Sequence, residues 1–431
     1  MKIAILGGGF TGLAAAHDLS KKGHDVTLYE RGAVLGGLAA GFKEKEWDWY
    51  IERAYHHLFS NDSDILGLAD DTGFKNIMFK SPITASYYNV GSQGRTFPLD
   101  TPVDLLRFPL LSIPERVRTG AVLAFLKFIP FLPVYEEYAA QDFLKVAMGE
   151  HAYEVMFGEL FRKKFGKYAG KILTSFIWAR ITKRTKELGY VKGGFQVFID
   201  HLEQTLIKQG VKICKSVAVE SIEKKGEEFI LTIQEGAPTK KKKEVFDRVV
   251  STLPTPVLAN VTQALFPAEF LQNLRNIQYL HAVCLILQTE KPILAKEYWL
   301  NICVPELSAM LVAQHTNLVD KKHYGNKNLL YMANYVEGSD PLVKMSDKEI
   351  LAHYVPQLKK LKQDYDGSYD KYFIFKAPFA QPIFDKKFLK SKPDFETPVP
   401  GFYIANLDMT YPYDRGTNYA VKLGRQVAGM I

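Results

Sequence analysis

The chain has 431 residues, 47% of them hydrophobic and 24% charged, with three cysteines and a formal net charge of +8. At roughly 150 residues per domain this length suits two domains, and the balanced composition excludes disordered and collagenous chains. Cys214, Cys284 and Cys303 are far apart and form no C-x-x-C pair, which argues against a disulfide framework or a zinc site and fits a reducing, cytoplasmic setting. The first six residues run straight into a glycine turn without the apolar core and cleavage site of a secretory signal, so they are read as structure. Positive charge alone admits nucleic acid, an anionic membrane or an anionic ligand. No zinc-finger, RRM or helix-turn-helix pattern supports nucleic acid, and the basic run Lys240 to Lys243 reads as a solvated hairpin tip.

In chain order, residues 2–6 are apolar and β-favouring, residues 11–22 carry Leu13, Ala16 and Leu19 at helical spacing, and residues 24–30 form a second strand. Residues ~80–190 change character. They open on a hairpin of residues 83–90 and 95–99 about the turn Gly91-Ser92-Gln93-Gly94, and continue as a long, aromatic-rich helical stretch. From Gly193 an α/β rhythm returns: a helix over 195–209, a strand over 211–214, an alternating segment over 218–233 and a buried strand over 248–253 ended by Pro254. Strands follow at 282–289, 329–335 and 372–375, with a helix over 347–361, a short strand over 402–405 and a closing helix from about Asn418.

Gly7-Gly8-Gly9-Phe10-Thr11-Gly12 places G-x-G-x-x-G between a strand and a helix. Gly7 permits the tight turn, Gly9 lets backbone approach a pyrophosphate, Gly12 allows close helix–strand packing, and the helix N-terminus stabilises phosphate charge. Glu30 ends the second strand near the offset at which an acidic side chain accepts hydrogen bonds from an adenosine ribose. Arg31 then leads to the paired glycines Gly36-Gly37 and Leu38, where a plain NAD fold would continue into a helix; a second backbone approach to the same pyrophosphate explains the pair and favours FAD.

With these motifs the chain resembles the flavin-containing superfamily of amine oxidases, protoporphyrinogen oxidases and carotenoid desaturases, with galactopyranose mutases as relatives. Further matches run in family order. Gly193-Gly194-Phe195 resembles the opening of the helix that re-enters the flavin domain, the strand containing Val219 resembles the one whose backbone meets adenine, and residues 247–254 resemble the strand and loop near the pyrophosphate. Asp414, Gly416, Thr417, Asn418 and Tyr419 resemble the segment that sets a helix N-terminus beside the flavin pyrimidine, with Asn418 or Thr417 capping that helix. The resemblance implies an α/β fold. A Rossmann-like FAD-binding domain of the two-dinucleotide-binding type is expected from residues 1–80, 190–255 and 396–431, with an inserted α+β substrate domain from 81–189 and 256–395.

It also implies an FAD-dependent oxidoreductase that transfers hydride from an apolar small molecule to flavin, with a redox-neutral sugar-nucleotide mutase as the alternative. His56 falls where a mutase has its flavin-side histidine, but Phe59 stands in place of the second histidine of that pattern. His56 and Tyr411 are the candidate catalytic residues; interior packing is the competing reading of each. Arg95-Thr96-Phe97-Pro98-Leu99 gives the mutase partial support. Residues 107–133 are too interrupted, by Lys127 and Pro130, for a membrane span. They read either as a helical lobe folded on the substrate domain, the preferred alternative, or as a peripheral membrane contact in which basic residues meet lipid phosphates.

Overall fold

The structure, a computed structural model, describes residues 1–235 and 240–431. Its organising element is a five-stranded parallel sheet in the order Lys212–Lys215, Asp25–Glu30, Lys2–Leu6, Arg248–Ser251, Phe402–Ile404. Both faces of a parallel sheet must be covered, and the central strand shows how. Ile3 and Ile5 face the helices Phe10–Lys21 and Phe195–Lys208, while Ala4 and Leu6 face an antiparallel meander of Val217–Lys225, Glu228–Glu235 and Lys240–Phe246. The closing helix Thr417–Met430 lies on Phe10–Lys21 in close approach. A Cβ on Gly424 would stand 2.3 Å from the Thr11 carbonyl oxygen, so only glycine fits there.

A second, seven-stranded sheet runs Lys371–Pro382, Tyr279–Thr289, Asn328–Val336, Leu311–Gln314, Glu297–Ile302, Ile83–Val90, Gln93–Pro98. Its pairings are antiparallel except for Glu297–Ile302 against Ile83–Val90. A helical lobe over residues 102–183 packs beside it. The chain leaves the first sheet after residue 30, returns at 212–251 and comes back at 402–404, so three separated stretches supply its strands.

Several expectations need correction. Lys240 to Lys243 are not a tip; they are the exposed start of an edge strand, where like charges discourage pairing with a further strand. Residues 236–239 lie outside the described residues. The first hairpin turns through two residues, Gly91 and Ser92, with Gly91 at φ +61°, so its second strand begins at Gln93. The helix expected over 347–361 ends at Tyr354, because Pro356 cannot donate the next hydrogen bond; a 3-10 turn and a short helix follow. Residues 107–133 hold the helix Ile113–Phe128, and no described helix is long and apolar enough to cross a membrane.

Candidate flavin site and reaction chamber

In the five-stranded sheet the strand order reverses beside Lys2–Leu6, which opens a crevice at the carboxyl ends of the strands. The first glycine turn sits there, and the second lies against it: the Gly36 N–H donates to the Gly8 carbonyl at 2.8 Å. Gly7, Gly36 and Gly37 have φ of +107°, +116° and +57°, conformations that favour glycine. Gly9 differs, since its φ of −76° and ψ of 177° suit any residue. A Cβ on Gly9 would meet only the Gly37 Cα, at 4.0 Å, so neither strain nor crowding by this chain requires glycine at that position. The space above this backbone is open to a ligand.

Glu30 shapes the same crevice. One carboxylate oxygen accepts from Gly8 N–H at 2.9 Å and the other from Gly32 N–H at 2.6 Å. Arg31 and Leu38 lie on the exposed rim, and Leu38 is 42% exposed. The strand bearing Val219 starts beside this loop, because Ser216 N–H donates to the Gly32 carbonyl at 3.0 Å; a bulge follows Val219. Phe10 itself turns inward, packing on Phe195 and Phe198 with ring centroids 6.5 and 5.8 Å away, so only its backbone can face a ligand.

Four helix N-termini converge on the site, and their satisfaction differs. Phe195 N–H donates to buried Glu52 at 2.8 Å. Asp64 and Ile65 N–H, opening the helix Ser63–Asp71, donate to the Asn418 side chain at 2.8 and 3.1 Å. Asn418 therefore caps a neighbouring helix and not its own, contrary to the sequence expectation; Gly416 occupies the N-cap of Thr417–Met430. The helices starting at Phe10 and Thr417 have no side-chain cap from their N-cap residue and no acidic residue in the first turn. Their free N–H groups stabilise negative charge, which matches a pyrophosphate at one and an electron-rich flavin pyrimidine at the other.

Between residues 55–57 and 411–419 lies a cluster of aromatic side chains. Tyr55 and Tyr335 share a hydrogen bond at 2.9 Å, and Trp299 stands edge-on to Tyr55 at 4.8 Å. His56 leans toward Phe195, whereas His57 faces Phe59, Tyr298 and Trp299, so the adjacent histidines point to different sides, as an extended chain requires. Burial pushes His56 down to about 4 and His57 to about 3, leaving both neutral at neutral pH. His56 Nδ1 lies 2.8 Å from the Ala54 carbonyl. A carbonyl only accepts, so Nδ1 carries the proton and Nε2 keeps its lone pair.

The other wall is charged. Asp414 binds Lys164 at 3.0 Å and also Arg180; burial alone would raise its pKa, but the two cations outweigh that and hold it low. Burial lowers Lys164 to about 7 against the pull of Asp414. Arg415 lies over the Tyr335 ring at 4.4 Å and donates to Ala380 O and Gln381 Oε1. Tyr413 and Tyr419 stack at 4.6 Å with rings nearly parallel. Tyr411 does not join them: its hydroxyl contacts Ser175 and Glu136, and its ring packs on Phe384 and Phe388.

Glu52, absent from the sequence reading, is the hub beneath this cluster. It is fully buried, its carboxylate accepts from Tyr190 O–H and Phe195 N–H, each at 2.8 Å, and its carbonyl accepts from Tyr331 O–H at 2.7 Å. No local pattern marks it, since its partners lie more than 130 residues away.

A double glycine cradle, an acidic strand end and two uncapped helix N-termini beside an aromatic cluster are the features of a flavoprotein oxidoreductase. Residues 10–431 match the flavin containing amine oxidoreductase family, and the chain belongs to it. Its cofactor is FAD. The 15-cis-phytoene desaturase of Synechococcus elongatus is 22% identical over 100% of this chain and 96% of its own length. Zeta-carotene desaturase of Zea mays is 28% identical over 132 residues, 29% of this chain, and there the match spans about a quarter of the relative (23%). An oxidoreductase from Methanosarcina mazei shares the fold over 100% of both chains, with TM-score 0.75 and 18% identity.

Proposed function

We propose that the protein oxidises a C–H bond of a small apolar molecule held at the aromatic cluster. The observation that carries this reading is the neutrality of the inner wall: His56 and His57 are uncharged and the phenols of Tyr55 and Tyr298 are held above their ordinary pKa by burial. Such a surface sheds water at little cost and would leave an ionic substrate group unpaired, so it favours apolar ligands. Bound FAD supplies the hydride acceptor. Tyr55, Trp299 and Tyr335 position the substrate and exclude water. His56 stands at the cluster and offers Nε2 as a hydrogen-bond acceptor; with a pKa of about 4 it is a weak base and an orienting group first. The desaturase relatives support a polyprenoid substrate, with a porphyrinogen or an uncharged amine as neighbouring classes.

One observation favours the sugar-nucleotide mutase as a second reading: Lys164 and Arg180 share the single carboxylate Asp414, while the Arg415 guanidinium donates only to neutral acceptors, leaving positive charge that suits a diphosphate. Other features of that reading are weaker, because Arg95 is exposed on an edge strand and Phe97 packs on Phe108. Anaerobic mixing of the oxidised holoprotein with a polyene, a porphyrinogen and an amine tests the proposal. Bleaching of the flavin absorbance by one of them supports it. Ring contraction of a nucleotide sugar by the reduced protein, with no net electron transfer and no bleaching by the panel, refutes it.

A further inference from the structure

We propose that the solvent side of the helix Ile113–Phe128, with the segments at its two ends, docks the protein flat on an anionic lipid bilayer. The exposed apolar surface of the molecule is concentrated there: of nineteen large hydrophobic side chains exposed among the described residues, ten fall within residues 103–146. On the helix, Ile113, Val117, Phe125 and Phe128 are 71, 58, 47 and 77% exposed. Together with exposed Ala121 and Ala124 they fall within an arc of about 120° at 100° per residue. The opposite side holds Thr119 and Leu126, buried against the lobe. The helix is thus apolar on two sides, and only the inner one has a partner among the described residues. Phe131, 56% exposed, extends the stripe past the C-terminal end, and Leu106, 54% exposed, extends it before the start.

Charge selects the occupant. Arg116 donates to the Leu111 and Leu106 carbonyls, Arg118 to those of Ala147 and Val146, and Lys127 to those of Ile181 and Thr182. These cations are held in place by neutral acceptors, so their charge is not cancelled by the groups that orient them. Arg107 adds a fourth at the end of the helix Pro102–Arg107. The nearest acid on the helix, Glu115, is engaged by Ser112 and His151. A second copy of this chain across a two-fold axis would bring the same cations face to face. A sheet of lipid phosphates meets them with opposite charge while the apolar stripe enters the headgroup boundary. At 1.5 Å per residue the stripe is about 24 Å long, which fits a helix lying in the interface plane. This surface has the same character whatever the substrate is.

The test is co-sedimentation of the FAD-loaded protein with vesicles of phosphatidylcholine alone and of phosphatidylcholine mixed with phosphatidylglycerol. The protein should bind the anionic vesicles, release as salt is added, and bind about tenfold more weakly as Phe128→Glu or Phe131→Glu. Both positions are solvent-facing, so flavin absorbance and melting temperature should be those of the wild type, which separates lost docking from lost folding. Absence of binding to the anionic vesicles would overturn the inference. So would binding that neither substitution weakens, or a dimer that Phe128→Glu dissociates without any vesicle association.

Discussion

Replacing Gly9 and Gly12 separately distinguishes a glycine kept for a ligand from one kept for the fold. At Gly9 the backbone is extended and an added Cβ meets nothing closer than the Gly37 Cα at 4.0 Å. Gly9→Ala should therefore leave the apoprotein as stable as before, or more stable by about 0.5 kcal/mol because the unfolded chain loses freedom. Its methyl group, however, occupies the space between the two glycine turns, and FAD affinity should fall at least about a hundredfold, or about 3 kcal/mol. At Gly12 the added Cβ would stand 2.0 Å from the Gly7 carbonyl oxygen and 3.4 Å from Ile5. No rotamer relieves a backbone clash, so Gly12→Ala should cost about 3 kcal/mol or more of stability even without cofactor. Thermal melts of the two apoproteins, with FAD titration followed by flavin fluorescence, read both quantities. The reasoning fails if Gly9→Ala binds FAD like the wild type, or if the two variants lose stability equally.

Three further outcomes follow from contacts at the same junction. Glu30→Gln should weaken FAD binding about tenfold, because a charged acceptor at the strand end becomes a neutral one; equilibrium dialysis measures it. Asn418→Ala removes the acceptor for two N–H groups of the helix Ser63–Asp71 and should cost about 1–2 kcal/mol, lowering the melting temperature by about 1–2 °C. Burial raises Glu52 from 4.5 to about 7, so the folded state holds this proton more tightly than the unfolded chain. Its contribution is fully present below about pH 4.5 and is lost as pH rises through 7, by about 3 kcal/mol in all. Glu52→Gln should flatten the fall in melting temperature over that window, and an unchanged pH profile would show that Glu52 ionises without penalty.

How much of the site is legible in the sequence divides along a physical line. The phosphate-binding half is written in backbone conformation, and backbone demands leave local marks. Gly7, Gly36 and Gly37 adopt the left-handed region, a Cβ on Gly12 would strike the Gly7 carbonyl, and Gly9 leaves the space between the two turns open, so glycines at fixed offsets betray the turn by their spacing alone. The strands of the parallel sheet are likewise plain, because residues buried on both faces read as unbroken apolar runs. Elsewhere local pattern misleads. Asn418 has the right identity and place to cap its own helix, yet it caps one 354 residues earlier in the chain. The strand Lys371–Pro382 reads as four residues because Lys376 and Pro378 interrupt its apolar alternation.

The reaction half of the site is written in side-chain contacts, and those are long-range. Asp414 meets Lys164 and Arg180, Tyr55 meets Tyr335, and Glu52 gathers Tyr190, Phe195 and Tyr331, none of them near in sequence. A side-chain cluster at the meeting of three chain segments can be built no other way, since each segment is committed to its own sheet and only its ends are free to reach inward. Binding the common cofactor needs a fixed backbone geometry, which constrains sequence tightly. Choosing the substrate needs only a set of side chains brought together by the fold, which many sequences can supply. The family is therefore legible in the first forty residues, while under the function proposed above the substrate is chosen by Tyr55, His56, Trp299, Tyr335 and their neighbours, which only the folded molecule brings together.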